Sequence, residues 1–434
     1  MIRLPAGVNE SITRIDCATR RGRSSARPSR RWNITPGRVV VTYNNVVVTS
    51  STVIDNPFVY GEIVSAAAFA NRVAERERLA RDLASGQKVF LISPRRYGKS
   101  SLVRDVMRGL ARQKILTVEV TVASSSSYIG FLENYAQALL AADTPASRLK
   151  RWAAELLQGI KPEIRFDTDP LGRAGFALAF PSVRSARDTA RVANEVFQLP
   201  GRIAEARKQR LAIALDEFQA ITAFDGGTIE HALRAAVQNQ RQVGYVFSGS
   251  EPSLMERMLG PRRPFYKAGP VMRLDKIDPD EFAVFLEERF RSSGIKPEAG
   301  LGEAIVDLAA NVPYDVQRLA HETWDDVREA GKRGAGLDDL HATLIRLLGE
   351  QDTMFEESWQ RLTLPQRAVL RALVIEEGRE LMSADVRTRH RLPGTSTIQA
   401  ALAALVRQDI IVKETGRYTV IDSLYREWVA RKTY

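Results

Sequence analysis

The stretch from Phe90 to Leu102, FLISPRRYGKSSL, sets a lysine and two serines directly after a glycine. The spacing matches the second half of the phosphate-binding pattern G-x-x-x-x-G-K-[ST]. The chemistry it suits is the holding of a polyphosphate, with backbone N–H groups aimed at phosphate oxygens from the positive end of a helix. Lys99 is expected to reach the β- and γ-phosphates as a mobile charge, and the Ser100 hydroxyl to be a Mg²⁺ ligand. Gly98 lets the backbone approach where a side chain would block it. Ser93 stands where the first glycine is usual; a small residue there gives up backbone freedom but removes no ligand atom. Ser93, Pro94, Arg95, Arg96, Tyr97, Gly98, Lys99, Ser100 and Ser101 are therefore the positions expected to contact nucleotide.

The complementary residues lie far along the chain. LAIALDEF ends an apolar run with two acids, Asp216 and Glu217. In an open parallel sheet, ligands sit beyond the carboxyl ends of the strands. Asp216 is expected to hold Mg²⁺, usually through water, and Glu217 to polarise the attacking water. Each motif alone has a plainer reading, a small-residue turn or a strand leading into an acidic loop. Their order and spacing together make ATP with Mg²⁺ the expected cofactors, and geometry decides hydrolysis.

These residues need elements to place them. KVFLIS (88–93) and KILTVEVTV (114–122) read as strands around the helix SSLVRDVMRGLARQ. RLAIALDEF (210–218) and VGYVFSGS (243–250) read as further buried strands, with helices over 70–85 and in IEHALRAAVQNQRQ. Such alternation predicts parallel βαβ units. Residues 141–200 carry a weaker pattern, and DTDPLGRAGFALAFPS within them reads as loops or a small hairpin. From 278 to 350 every segment looks helical, with breaks at Gly294, Pro297 and Pro313.

Residues 361–434 read as three helices, two strands (IIVK and RYTVI) joined by ETG, and a closing helix. That order is a winged helix. In its third helix, Ile398, Leu402, Leu405 and Val406 are expected to face the core. The opposite side carries Thr395, Ser396, Thr397, Gln399 and Ala403, small and polar enough to enter a major groove, with Gln399 suited to adenine. Arg387, Arg389, His390, Arg391 and, on the wing, Arg417 are candidate phosphate contacts; the plainer reading is a solvated face on a lid or protein-contact unit.

From about residue 56 to 325 the chain resembles the archaeal-type ATPases, a branch of the AAA+/STAND P-loop class. The resemblance rests on NPFVYGEIV with FANRVAERERL, SPRRYGKSSL, LDEFQAI, LRAAVQNQRQVGYVFSGSEPSLMERML and RPFYKAG. It implies an α/β fold, with an AAA+-like P-loop NTPase parallel-sheet core, a helical lid and the winged helix-turn-helix domain. It also implies that the segment Phe69–Arg72 lies by the adenine and that Ser248 or Ser250 senses the γ-phosphate. NVPYDVQRLAHETW resembles that group's lid element, which puts Pro313 near the base and Arg318 near the phosphates. The catalytic set it implies is Glu217, Lys99, Ser250 and Arg318; Arg72 and Pro313 join the nucleotide contacts, and Ser100 and Asp216 hold the metal. Departures are Ser93 in the loop, Asn71 in the N-terminal motif, and no evident arginine finger, for which Arg257, Arg262 and Arg263 are candidates.

The expected domains are a basic, disordered tail (1–52), the ATPase core (53–275), the lid (276–355) and the winged helix (356–434). The chain's net charge is +11, with 44% hydrophobic and 26% charged residues. Nine arginines against Glu10 and Asp16 give residues 1–50 a charge of +7, leaving +4 for the rest, so basicity says little about the folded part. The tail reads as a disordered segment, a nucleic-acid arm or a transit peptide, with VVVTYNNVVVT as two strands around Asn44-Asn45. A translation start near Val53 is the competing reading, and the tail is assigned no function. The single cysteine, Cys17, excludes an intramolecular disulfide, and four scattered histidines offer no metal cluster. No apolar run approaches the ~20 residues that span a bilayer, so a cytoplasmic, non-membrane protein is expected. The expected function is a nucleotide-dependent switch with slow ATP hydrolysis and double-stranded DNA as output. The alternative is a non-hydrolysing ATP-bound adaptor contacting a protein partner or further copies of itself. A DNA-binding regulator whose ATPase sets only its assembly state is a third reading. A small-molecule kinase fits less well, because a winged helix stands where a substrate lid would be.

Overall fold

The computed structural model describes residues 55–61, 72–142, 157, 162–168, 174–181, 183, 185–224, 227–414 and 416–432, with the strand segments 34–35, 38–43 and 46–51. The chain divides into two units, 1–55 and 56–434. In the first, β1 (Ile34–Thr35), β2 (Arg38–Tyr43) and β3 (Val46–Ser51) pair antiparallel in that order. Tyr43 pairs with Val46, so Asn44-Asn45 is the connection, and the valine-rich strands follow from their β-branched residues. The two strands expected around Asn44-Asn45 are thus present, and this part of the 1–52 tail is a sheet. Its arginine-rich stretch lies outside the described residues.

In the second unit, five parallel strands form one sheet in the order β10–β4–β9–β8–β5. They are β4 (Lys88–Ile92), β5 (Leu116–Thr121), β8 (Leu211–Asp216), β9 (Val243–Gly249) and β10 (Val271–Arg273). β9 is buried along its whole length, and β8 up to Leu215, which is why both read as uninterrupted apolar runs. One face is covered by α1 (Val73–Ala84) and α2 (Lys99–Arg112). The other is covered by α3 (Tyr128–Ala141) and α4 (Ala186–Arg207), with α5 (Thr228–Val237) beside them.

The weakly patterned region holds an antiparallel hairpin, β6 (Glu163–Thr168) with β7 (Ala174–Ala179), which begins earlier than the glycine- and proline-rich stretch suggested. After it comes α4, 22 residues long, running through Pro200. Leu199, Pro200, Ile203 and Ala204 are all buried, so packing outweighs the backbone hydrogen bond that proline cannot make.

Beyond the sheet come α6 (Pro252–Met258), α7 (Pro279–Ser292), α8 (Leu301–Leu308), α9 (Pro313–Glu329) and α10 (Leu337–Gln360). The stretch is not wholly helical. β11 (Lys296–Pro297), at the break expected at Pro297, pairs parallel with β12 (Gly334–Ala335), where no break was expected. α10 runs unbroken through residues 355 and 356, where the lid was expected to give way to the winged helix. The last part is α11 (Leu364–Ile375), α12 (Ala384–Arg389), α13 (Thr395–Arg407), the hairpin β13 (Ile411–Glu414) with β14 (Arg417–Val420), and α14 (Ser423–Arg431). One continuous core joins α7–α10 to this part. Phe355 and Trp359 of α10 meet Tyr425 and Trp428 of α14, with ring centroids 5.3 and 6.1 Å apart.

On α13, Ile398, Ala401, Leu402 and Leu405 are buried, but Val406 is 38% exposed, contrary to expectation. It sits at the edge of the apolar stripe, and Ala401 takes the inward place. No helix among the described residues is long and apolar enough to cross a membrane.

Candidate functional site

The loop between β4 and α2 turns at two residues with positive φ, Arg96 (70°) and Gly98 (82°). Ser93 is not among the positive-φ residues, so its position does not call for glycine. Its N–H donates to the Gly249 carbonyl at 3.2 Å and its hydroxyl to the Pro94 carbonyl at 3.1 Å, which places it as fully buried support under the loop. Gly98 is the N-cap of α2 and supplies no side-chain cap, so Lys99, Ser100 and Ser101 form the first turn behind a glycine.

Because β9 lies between β4 and β8, its last residues fall between the loop and the two acids. Lys99 Nζ donates to Asp216 Oδ1 and lies 3.3 Å from Glu217 Oε1. Ser100 Oγ donates to Asp216 Oδ2 at 2.9 Å, and Ser248 Oγ to Asp216 Oδ1 at 2.7 Å. Ser250 Oγ and Gln219 Nε2 each donate to Glu217 Oε2 at 2.5 Å. Glu217 itself has φ 52°, the left-handed region, immediately after the strand ends. A side chain seldom holds that conformation without surrounding support, and here Lys99, Ser250 and Gln219 anchor the carboxylate. Gly249 keeps the spacing, since a Cβ there would lie 2.8 Å from Gln219 Oε1 and overlap Met255.

Burial pushes the Asp216 carboxyl up, but the Lys99 charge and hydrogen bonds from Lys99, Ser248 and Ser100 outweigh it and hold the group below its ordinary range. Glu217 is lowered in the same way: burial raises it, while the Ser250 hydrogen bond, Lys99 and Gln219 prevail. Both acids are thus ionised near neutrality. Two carboxylates with a serine hydroxyl 2.9 Å from one of them make a hard-oxygen donor set, which suits Mg²⁺. Among the described residues there is no group of three or more His, Cys, Asp or Glu that could hold a metal ion.

A cavity of about 340 Å³ opens on this cluster. It is lined by residues 94–101, Glu217 and Ser250, by Tyr60 and Arg72, and by Val59, Ile277, Phe282, Pro313, Tyr314 and Gln317. Charged and apolar groups in one lining suit a nucleoside triphosphate, which carries both kinds of surface. Gln317 is 7% exposed, and its Oε1 is buried without a hydrogen-bond partner.

Arg72 lies at the wall, its Nη2 donating to the Tyr97 carbonyl at 3.2 Å and the Asp275 carbonyl at 2.6 Å, with Glu75 3.2 Å from Nη1. It ties the loop to the end of the sheet. Phe69, Ala70 and Asn71 lie outside the described residues. Pro313 lines the cavity, whereas Arg318 does not. Arg318 faces the Gln351 side chain of α10, one helical step past Gln317, the residue that α9 turns inward. Of the finger candidates, Arg263 is committed to the buried Glu230 at 2.7 Å.

Residues 353–431 match the family model of a probable winged helix domain. A Walker-type ATPase of Pyrococcus abyssi superposes with a TM-score of 0.55 at 17% identity, over 84% of this chain and 97% of that one. The ORC2 protein of Aeropyrum pernix, solved as ADPNP–ADP complexes, gives 0.51 at 13% identity, over 87% and 95%. The fold is that of a P-loop ATPase with a winged helix. At these identities the likeness is one of fold, and it bears out the fold class and the archaeal ATPase resemblance read from the motifs. A comparison with curated protein sequences finds no match.

The sequence did not single out Gln219, Gln317 or the apolar wall. Gln219, two residues past Glu217 in an otherwise apolar FQAI, was a legible signal; Gln317 carried none.

Proposed function

We propose that this chain is an ATP-binding P-loop ATPase that works as a slow, nucleotide-dependent switch, cytoplasmic, with the winged helix as its DNA-binding output. The observation that carries the reading is the convergence of Lys99, Ser100, Asp216 and Glu217 in one cluster on which the cavity opens. Lys99, held on the two acids, is the charge that moves to the phosphates. Ser100 and Asp216 would hold Mg²⁺, which when bound supplies positive charge against the phosphate oxygens. Glu217 orients and polarises the attacking water, and Ser250 and Gln219 set the direction of its carboxylate. Gln317 offers an amide to the base edge. Arg263, paired with Glu230, is the finger candidate least free to reach a transition state, which fits slow turnover.

The DNA-facing surface is the exposed side of α13, Thr395, Ser396, Thr397, Gln399 and Ala403, with Arg407, Lys413 and Arg417 around it. One observation favours the second reading, an ATP-held adaptor. Arg389 and His390 both pair with Glu376, at 2.8 and 2.7 Å, which withdraws two of the expected phosphate contacts.

The test is ATP turnover by wild type, Lys99→Ala and Glu217→Gln, with and without double-stranded DNA. Turnover lost in both variants and raised by DNA supports the switch. ATP binding that needs Lys99 but never leads to turnover selects the adaptor. Absence of ATP binding refutes both.

A further inference from the structure

Arg96 belongs to the phosphate loop and lines the nucleotide cavity, yet its guanidinium points at two acids from elsewhere in the chain. Nη1 lies 3.6 Å from Asp315 Oδ1, in the first turn of α9, and 3.4 Å from Asp422 Oδ2, the N-cap of α14. The planar group also sits 5.1 Å from the centre of the Tyr314 ring, and the Tyr314 N–H donates to the Arg96 carbonyl at 3.2 Å. The Ser423 N–H donates to Asp315 Oδ2 at 3.3 Å, joining the two acidic partners to one another. One residue of the loop therefore grips the lid helix and the winged-helix part together, which already share a core.

We infer that Arg96, Asp315 and Asp422 form a latch that fastens the lid and winged helix to the phosphate loop, and that bound ATP competes for Arg96 and loosens it. The electrostatics give the direction. ATP brings several negative charges to a cavity that Arg96 borders, and Asp315 and Asp422 oppose that charge while using the same cation. Either set of anions gains by taking the arginine from the other. Coupling between sites is reciprocal, so whatever frees Arg96 from Asp422 must tighten ATP binding by the factor with which ATP weakens the latch. The effect is modest because the Arg96 side chain is 38% exposed and solvent screens it. This inference rests on the nucleotide reading above and specifies how that site is regulated.

The test uses the full chain as wild type, Arg96→Met, Asp422→Asn and the double variant. Asparagine keeps the helix cap that Asp422 provides to Leu424 and Tyr425 while removing its charge. Two readouts are taken: hydrogen exchange of the segments containing Tyr314 and Ser423, and affinity for ATP with Mg²⁺. Without nucleotide, Arg96→Met exchanges faster than wild type in both segments. ATP speeds the same exchange in wild type. Asp422→Asn binds ATP on the order of fivefold tighter, and that gain vanishes in the Arg96→Met background. Slower exchange with ATP, or unchanged affinity in Asp422→Asn, overturns the competition. If wild type binds ATP and Arg96→Met exchanges normally, the latch falls and the nucleotide reading stands. If wild type binds no ATP but Arg96→Met exchanges faster, the nucleotide reading and the competition fall, and only the tether remains.

Discussion

Asp315 is the residue at which the joint between loop, lid and winged helix is most sensitive to charge. Its side chain is almost fully buried, and the groups facing it are Arg96 from the loop and Asp422 with the Ser423 N–H from α14. Burial and the neighbouring Asp422 carboxylate outweigh Arg96, and they push Asp315 from 3.8 up to about 6. The folded chain therefore binds a proton at this site more readily than the unfolded chain. The stability this gives is fully present below the unfolded value and is lost as pH rises through about 6. A shift of two units, at 1.36 kcal/mol each, makes the ionised form cost roughly 3 kcal/mol at pH 7.5 and about 1 kcal/mol at pH 4.5. Asp315→Asn mimics the protonated acid at every pH. It is expected to stabilise the chain by about 3 kcal/mol at pH 7.5 and by about 2 kcal/mol less at pH 4.5. Urea unfolding followed by tryptophan fluorescence reads this directly, because Trp324, Trp359 and Trp428 lie in the core that α9 and α14 share. The comparison holds where the denaturant slopes of the two proteins agree. A variant less stable at pH 7.5, or a gain equal at both pH values, would refute the reasoning, since either means that Asp315 is charged in the fold without cost.

Two further substitutions probe the site, one beside Glu217 and one at the cavity wall. Gly249→Ala forces a methyl group against Gln219 and Met255, so it should lower ATP turnover at least tenfold by displacing Glu217 while ATP affinity changes little; single-turnover rates and equilibrium titration separate the two quantities, and unchanged turnover would show that Gln219 does not set Glu217. Gln317→Leu removes the buried amide from the cavity wall; ATP affinity should fall by about 1–2 kcal/mol with little change in affinity for inorganic triphosphate, and an equal loss for both would place Gln317 away from the base.

Four of the five sheet strands were legible, β8 and β9 most of all because they are buried runs; β10, three residues with only Met272 buried, was not read. The phosphate loop needs only one strand, one turn and one helix, so its residues sit together in sequence as they do in space. Asp216 and Glu217 were legible for a related reason: a fully buried strand makes any acid at its end conspicuous. The apolar lining of the cavity was not, since Val59, Ile277 and Phe282 come from segments far apart in the chain. α4 was hidden by Pro200, a boundary signal that burial on both sides overrides. Val406 shows the limit of helical periodicity, which finds the stripe but blurs its edge. Arg318 carried a role by resemblance to a motif, yet a single helical step decides which residue of α9 faces the cavity. The partners of Arg96 lie more than 200 residues away and carry no pattern at all.

The unbroken α10 has a mechanical consequence. Its 24 residues make a rod about 36 Å long, rooted in the lid at one end and packed on Tyr425 and Trp428 at the other. A tilt of only about 5° at the root would sweep the far end through about 3 Å, enough to carry one row of surface groups out of register with a rigid partner such as a groove of DNA. A joint of packed rings at the tip would hand such a stroke on. In the switch proposed above, a small rearrangement around a phosphate would in this way become a displacement of ångströms at the outer surface, with the helix as lever and the lid as fulcrum.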